Sequence, residues 1–268
     1  MTWERIDSCF ARLSSRSRTA LVAYLTVGDP SVEESAACAL AALEAGADIL
    51  ELGVPFSDPT ADGPVIAAAS HRAIAQGGSL RAALGVARTV RAASDAPIIL
   101  FTYYNPVMAY GDAELPAAAA EHGADGLLLV DVPPEEGQVL RDAADRAGLA
   151  VIPLVAPTTG EEREPLVMAR ARGFAYYVSL TGVTGAAAAP LEAAGRAAAA
   201  LRRRWGLPVV VGFGIDSPDK ARLVAQQHVD GVVVGTAIVR AIASASNSAA
   251  RRRAVTELVG ALRAGLGG

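Results

Sequence analysis

Short apolar runs alternate with longer stretches of helical periodicity along the whole chain, eight times over. The apolar runs fall at residues 20–25, 49–52, 98–102, 126–130, 150–154, 175–178, 208–211 and 231–234. They are short, rich in Val, Ile and Leu, and lack the strict in–out alternation of a strand with one wet face. Such runs suit parallel strands covered on both sides. Between them, residues 32–45, 80–94, 113–122, 135–147, 161–172, 190–205 and 218–227 read as helices, and an eighth helix covers the chain after Thr236. Residues 3–12 form a further amphipathic stretch, predicting an extra helix ahead of the first strand. No Pro/Gly/Ser-rich linker interrupts the pattern. Eight continuous βα units predict an α/β fold: a (β/α)8 TIM barrel with an extra N-terminal helix, one domain over 1–268, in preference to an open doubly wound sheet.

One helix exit recurs. The segments EAGAD (44–48), EHGAD (121–125) and QHVDG (227–231) each end a helix with Gly or its equivalent and lead at once into an apolar strand. Gly suits this point because it adopts the left-handed backbone that closes a helix. The recurrence marks one αβ turn reused around the chain, not a solenoid repeat.

Composition narrows the function. Charged residues are 19% and the formal charge is −4, which leaves no basic footprint for nucleic acid. The arginine groups at 202–204 and 251–253 read as solvated helix faces. Apolar runs of about five residues fall far short of a membrane span. Residues 1–18 lack the continuous apolar core of a signal peptide. Cys9 and Cys38 make no disulfide framework and no CxxC spacing, so the chain reads as a reduced, cytoplasmic protein with two buried or half-buried thiols. His71, His122 and His228 lie far apart without a metal-ligand spacing, and no metal site is expected.

In a (β/α)8 barrel, reacting groups sit at the C-terminal ends of strands and in the βα loops. Glu51 interrupts an apolar strand near that end, where a carboxylate is costly to desolvate unless it has a partner or a task. Burial there would raise its pKa into the range useful for proton transfer; a salt-bridged structural role is the alternative. The following loop, GVPFSDPTADGPV (53–65), carries Asp58 and Asp62 among three prolines and two glycines. Asp62, ahead of Gly63-Pro64, suits either proton chemistry or a helix cap. Glycine-rich segments LTGVTG (180–185), GFGID (212–216) and VVGTAIV (233–239) follow three adjacent strands, and together they predict a phosphate site. Aromatic residues are 5% of the chain. Tyr24, Tyr103, Tyr104, Tyr176, Tyr177 and Phe213 nonetheless gather at strand ends, some to line an apolar pocket and the rest to fill the barrel.

Six segments then carry a resemblance: VGDP (27–30), ELGVPFSDPTADGP (51–64), YYNPV (103–107), DVPPEE (131–136), YYVSLTGVTG (176–185) and GFGI (212–215). In this order, from about residue 3 to residue 245, the chain resembles the tryptophan synthase α subunit family. The resemblance implies retro-aldol cleavage of indole-3-glycerol phosphate to indole and glyceraldehyde 3-phosphate. It implies that Glu51 is the catalytic acid/base, protonating indole C3 and taking a proton from the glycerol hydroxyl. Asp62 would accept the indole N–H and stabilise the cationic ring. Tyr24, Tyr103, Tyr176 and Phe213 would line the substrate, with Thr184 closing near Asp62. Gly185, Gly214, Gly235 and Thr236 would hold the phosphate without metal.

By the same resemblance, Pro55, Asp58, Pro59, Asn105 and Pro133 face a β subunit in an α2β2 complex. Pyridoxal phosphate belongs to that partner, and this chain carries no cofactor. Thr60, Tyr24, Thr236 and the Ala-rich stretch after Gly185 depart from the family pattern, which bears on loop closure and coupling more than on chemistry. A stand-alone lyase releasing free indole would carry the same residues. A silent binding protein would not need Glu51 and Asp62.

Overall fold

The computed structural model describes residues 1–178, 191–212 and 214–267. Its strands are β1 (Ala20–Thr26), β2 (Ile49–Gly53), β3 (Ile98–Thr102), β4 (Gly126–Leu129), β5 (Ala150–Ile152), β6 (Leu154–Val155), β7 (Ala175–Val178), β8 (Val209–Gly212) and β9 (Gly231–Val234). All pair in parallel, in the order β5-β4-β3-β2-β1-β9-β8-β7-β6. The two ends of that order are consecutive in sequence, so the ring closes through the chain itself. The expected strand at 150–154 is therefore one stave in two pieces, divided at Pro153. Proline has no N–H for a ladder. The last β4–β5 pair is Leu128↔Ile152, and β6 then takes up β7 with Leu154↔Tyr176.

Alternation along each strand sorts the side chains into two cores. Val22, Tyr24, Ile49, Ile99, Phe101, Leu128, Tyr176 and Val210 fill the barrel. Leu21, Leu25, Leu50, Leu52, Leu100, Leu127 and Val211 meet the surrounding helices. Both faces are apolar, which is why the strands show no polar alternation in sequence. The predicted N-terminal helix is α1 (Glu4–Ser14), and it plugs one end of the barrel. Its Ile6, Phe10 and Leu13 join the inner core, and Phe10 lies 5.6 Å from Phe174, centroid to centroid. Each such side chain contributes roughly 1.5–3 kcal/mol by burial.

The reused αβ turn acquires a physical explanation. Gly46, Gly123 and His228 all take positive φ, of 110°, 88° and 62°. Two residues on, Asp48, Asp125 and Asp230 each accept the N–H that opens a neighbouring strand: Leu21 at 2.9 Å, Ile98 at 2.8 Å and Val209 at 2.9 Å. Each carboxylate also meets arginine: Arg263 for Asp48, Arg5 and Arg91 for Asp125, Arg202 for Asp230. These clasps tie strand starts to the helices at the plugged end. The opposite end is left for chemistry.

The helices after α1 are α2 (Val32–Glu44), α3 (Pro64–Ala75), α4 (Leu80–Arg91), α5 (Tyr104–Tyr110), α6 (Leu115–Glu121), α7 (Gln138–Ala147), α8 (Glu164–Met168), α9 (Leu191–Trp205), α10 (Pro218–Ala225), α11 (Thr236–Ser244) and α12 (Ser248–Gly265). Ser31, Ser79 and Ser217 cap α2, α4 and α10, each accepting the N–H three residues on, an interaction worth about 1 kcal/mol. Four differences from the sequence reading stand out. The helix expected at 161–172 is a 3-10 turn (Glu161–Arg163) running into the short α8. The helix after Thr236 is two, parted at extended Ala245 and restarted by Asn247, which accepts the Ala250 N–H at 3.0 Å. Neither the short α5 nor α3 was among the expected helices, although Asp62-Gly63-Pro64 resembled a helix start. Cys9 and Cys38 are both buried, as anticipated, and no helix among the described residues is long and apolar enough to cross a membrane.

Candidate active site

Glu51 points into the barrel one step beyond Ile49, level with Tyr24 on β1 and Ile99 on β3. Its exposure is 0%, and neither carboxylate oxygen meets a hydrogen-bond partner among the described residues. A salt-bridged structural glutamate is therefore not what this strand holds. Burial pushes the carboxyl from 4.5 up to about 8, because the apolar surroundings disfavour the charged form. At neutral pH the group carries a proton that it can give up and take back at low cost.

The prolines and glycines after β2 bring a second carboxylate back over the barrel mouth. The cap of α3 is Gly63, without a side-chain bond, and Pro64 opens the helix. Asp62 is thus released from the capping role that its position suggested. Its Oδ2 instead accepts the Tyr103 hydroxyl at 3.2 Å, and that hydroxyl accepts the Ala61 N–H at 2.9 Å. Burial raises the Asp62 carboxyl from 3.8 to about 6, with the Tyr103 hydrogen bond pulling the other way. Two carboxyls thus titrate on either side of neutrality, one acidic and one ionised at pH 7.

Tyrosines form the walls. Tyr24 is buried, with its ring edge-on to Phe101 at 5.3 Å. Tyr176, level with Leu154 and Val210, lies within electrostatic range of Glu51, Tyr24 and Asp62, and burial is the main cause that raises its hydroxyl pKa. Both rings need glycine beside them: a Cβ on Gly53 would overlap the Tyr24 hydroxyl, and one on Gly212 the Tyr176 hydroxyl. Phe56 tilts against Tyr103 at 5.1 Å. The sequence reading did not single out Phe56, Phe101 or Thr26, whose Oγ1 lies 3.5 Å from the Tyr24 hydroxyl. Only their places beside a strand end or in the loop after Gly53 pointed to them.

At the adjoining corner, Gly235 precedes α11 and Thr236 is its first residue. The opening N–H groups of a helix have no carbonyl one turn earlier and favour an anion. A Cβ on Gly235 would lie 3.2 Å from the Tyr24 ring, and Gly214 takes φ +77°. Thr184, Gly185 and Phe213 lie outside the described residues. Of the residues expected to face a partner, Asp58, Asn105 and Pro133 are exposed, Pro59 is half-buried and Pro55 is buried.

Fold and site together define the class: a (β/α)8-barrel enzyme with two carboxyls of raised pKa under a tyrosine-lined mouth. The family model for the tryptophan synthase alpha chain matches residues 10–265, and the chain belongs to that family. It is 48% identical over 263 residues to the tryptophan synthase alpha chain of Geobacter sulfurreducens, covering 98% of this chain and 99% of that one. To the same protein of Geotalea daltonii it is 46% identical over 262 residues, covering 98% of each. Among solved structures, tryptophan synthase subunit alpha from Legionella pneumophila superposes with a TM-score of 0.88 at 36% identity, covering 98% of both chains. A chain of tryptophan synthase from M. tuberculosis gives 0.86 at 34%, covering 98% of this chain and 99% of that one. The protein is accordingly a lyase of tryptophan biosynthesis, which cleaves indole-3-glycerol phosphate and passes indole to a β subunit.

Proposed function

We propose that Glu51 and Asp62 divide the lyase chemistry between them. Glu51, protonated at neutral pH, gives its proton to indole C3, and the ring nitrogen becomes cationic. Asp62, ionised, accepts the ring N–H and stabilises that charge. Glu51, now a carboxylate, takes the proton of the glycerol hydroxyl as the C–C bond breaks. The bonding electrons return to the ring, leaving indole and glyceraldehyde 3-phosphate. The single observation that carries this reading is a fully buried, unpaired carboxyl at the open end of β2 whose pKa lies near 8.

Tyr24, Tyr103, Tyr176 and Phe213 line the indole, and Thr184 closes over it beside Asp62. Gly185, Gly214, Gly235 and Thr236 bind the phosphate through N–H groups and a hydroxyl. Pro55, Asp58, Pro59, Asn105 and Pro133 face the β subunit in a cytoplasmic α2β2 complex. Pyridoxal phosphate resides in that β subunit, and this chain works without a cofactor. The test is indole formation from indole-3-glycerol phosphate with and without β subunit. Stimulation by β is the expected result. Full activity without it would assign a stand-alone lyase, and no activity with it would remove the catalytic role.

A further inference from the structure

No part of the lyase chemistry falls on the segment VGDP (27–30), which follows β1 at the open end of the barrel. Its Asp29 is 5% exposed, so this loop holds a carboxylate out of water. Arg72 on α3 answers it with a fork: Nε donates to Oδ1 at 3.0 Å and Nη2 to Oδ2 at 2.7 Å. Among the described residues no other donor reaches that carboxylate. Beside the fork the two backbones touch. A Cβ on Gly28 would fall 2.7 Å from the Gly78 Cα, and one on Gly78 would fall 2.7 Å from the Val27 carbonyl oxygen.

The rest of α3 is modestly packed. Its buried side chains are Ala69, Ser70 and Ala73, with Val65 and Ile66 half-buried against the inner core. Small side chains contribute little by burial, and the first turn has no side-chain cap. Yet α3 starts two residues after Asp62. His71, next to Arg72, donates from Nε2 to the Ser57 carbonyl at 3.1 Å, in the same loop as Asp62. The helix is therefore a brace. Arg72 ties it to the β1 loop, and His71 and its own first turn tie it to the loop after β2. A bidentate pair on a buried carboxylate is the strongest of these ties, and breaking it strands that charge.

We propose that Arg72 is a positioning residue for Asp62: its fork on Asp29 seats α3 so that the loop after β2 holds the Asp62 carboxylate over the barrel mouth. The inference rests on the lyase roles given to Glu51 and Asp62. Arg72 lies about 12 Å along the helix from Pro64, at 1.5 Å per residue, so a tilt released at the fork is carried to the helix start. A displacement near 1 Å at a reacting group can cost about 100-fold in rate. The titratable groups facing Asp62 are Tyr103, Tyr24 and Tyr176. Burial is the larger influence on its carboxyl and raises the pKa, the Tyr103 hydrogen bond lowers it, and the Arg72 charge is not among the causes. Release of Asp62 toward water therefore lowers its pKa, whereas loss of the Tyr103 hydroxyl raises it.

The test measures kcat, KM and the pH profile of indole formation with β subunit present, alongside urea unfolding, for wild type, Arg72→Gln and Arg72→Lys. For Arg72→Gln, kcat should fall about tenfold or more while KM stays within about threefold. The acidic limb of kcat/KM should move below its wild-type place near 6, opposite to the shift expected of Tyr103→Phe. Arg72→Lys keeps the charge without the fork and should fall between the two. A lower urea midpoint with kcat and limb unchanged would overturn the proposal and leave the pair a structural tie only. A limb that rises would overturn it as well. Should Arg72→Gln fail to fold, Arg72→Lys decides by the same readouts. A wild-type profile without an acidic limb would remove the Asp62 role and this proposal with it, whereas a limb present in wild type and unmoved in the variants removes this proposal alone.

Discussion

Replacing Glu51 by Gln should separate stability from activity, with opposite signs. The native carboxyl titrates near 8 against 4.5 in a solvated chain. Between those pH values the unfolded state has released the proton and the native state still holds it. Stability therefore falls as pH rises through this window, by about 1.4 kcal/mol per pH unit, and levels off above about 8. The full span comes to about 5 kcal/mol, and at pH 7 about 3 kcal/mol has already been lost. A neutral amide of nearly the same shape does not titrate. Glu51→Gln should thus unfold at higher urea than wild type at pH 7, with little difference at pH 4.5. Urea titrations of both proteins at half-unit steps from pH 4.5 to 8.5 give the difference curve directly. Indole formation, meanwhile, should be lost in the variant. A difference curve flat across this range would show that the carboxyl is not perturbed by burial. Turnover within about tenfold of wild type, only about 1.4 kcal/mol, would remove Glu51 as the proton carrier.

Asp62→Asn should lower kcat by about 100-fold or more and leave KM within a few-fold, because its charge acts on the cationic ring; equal losses in both constants would assign it to binding. With Asp62 needed ionised and Glu51 needed protonated, kcat/KM should be bell-shaped with limbs near 6 and 8, and a profile flat between 5 and 9 would contradict both roles. Tyr103→Phe removes the hydroxyl that holds the Asp62 carboxyl down, so the acidic limb should move to higher pH; an unmoved limb would mean that this hydrogen bond is absent in the working enzyme. At the plugged end, Asp125→Asn leaves Arg5 and Arg91 without their shared carboxylate and should cost about 3–5 kcal/mol by urea unfolding, with kcat of the folded fraction unchanged.

The strand and helix rhythm was legible because its cause is local. Strands covered on both faces must be apolar throughout, and amphipathic helices must cover them, so eight units and the α1 plug could be read from periodicity. The errors have physical causes as well. Pro153 sits inside an apolar run that reads as one strand, and only the change of pairing partner from β4 to β7 divides it. The α5 segment is seven residues with Pro106 near its start, too short for a periodic signal; the Asp131 carboxylate, distant in sequence, accepts the Tyr104 N–H at its start.

By itself the sequence determined that a carboxylate would sit in an apolar strand end, that a stiff acidic loop would follow, and that glycines would open the last units. These are consequences of residue type and spacing, which need no neighbour to be stated. Tertiary structure decided what each group would be. Glu51 is an acid near pH 8 because three strands and a tyrosine-lined mouth exclude water from it. Asp62 is a carboxylate hydrogen-bonded to Tyr103 and not a cap because Gly63 takes the cap position and Tyr103, forty-one residues away, donates to it. Charge state depends on what surrounds a group in space, and the ring of strands brings those surroundings from distant parts of the chain.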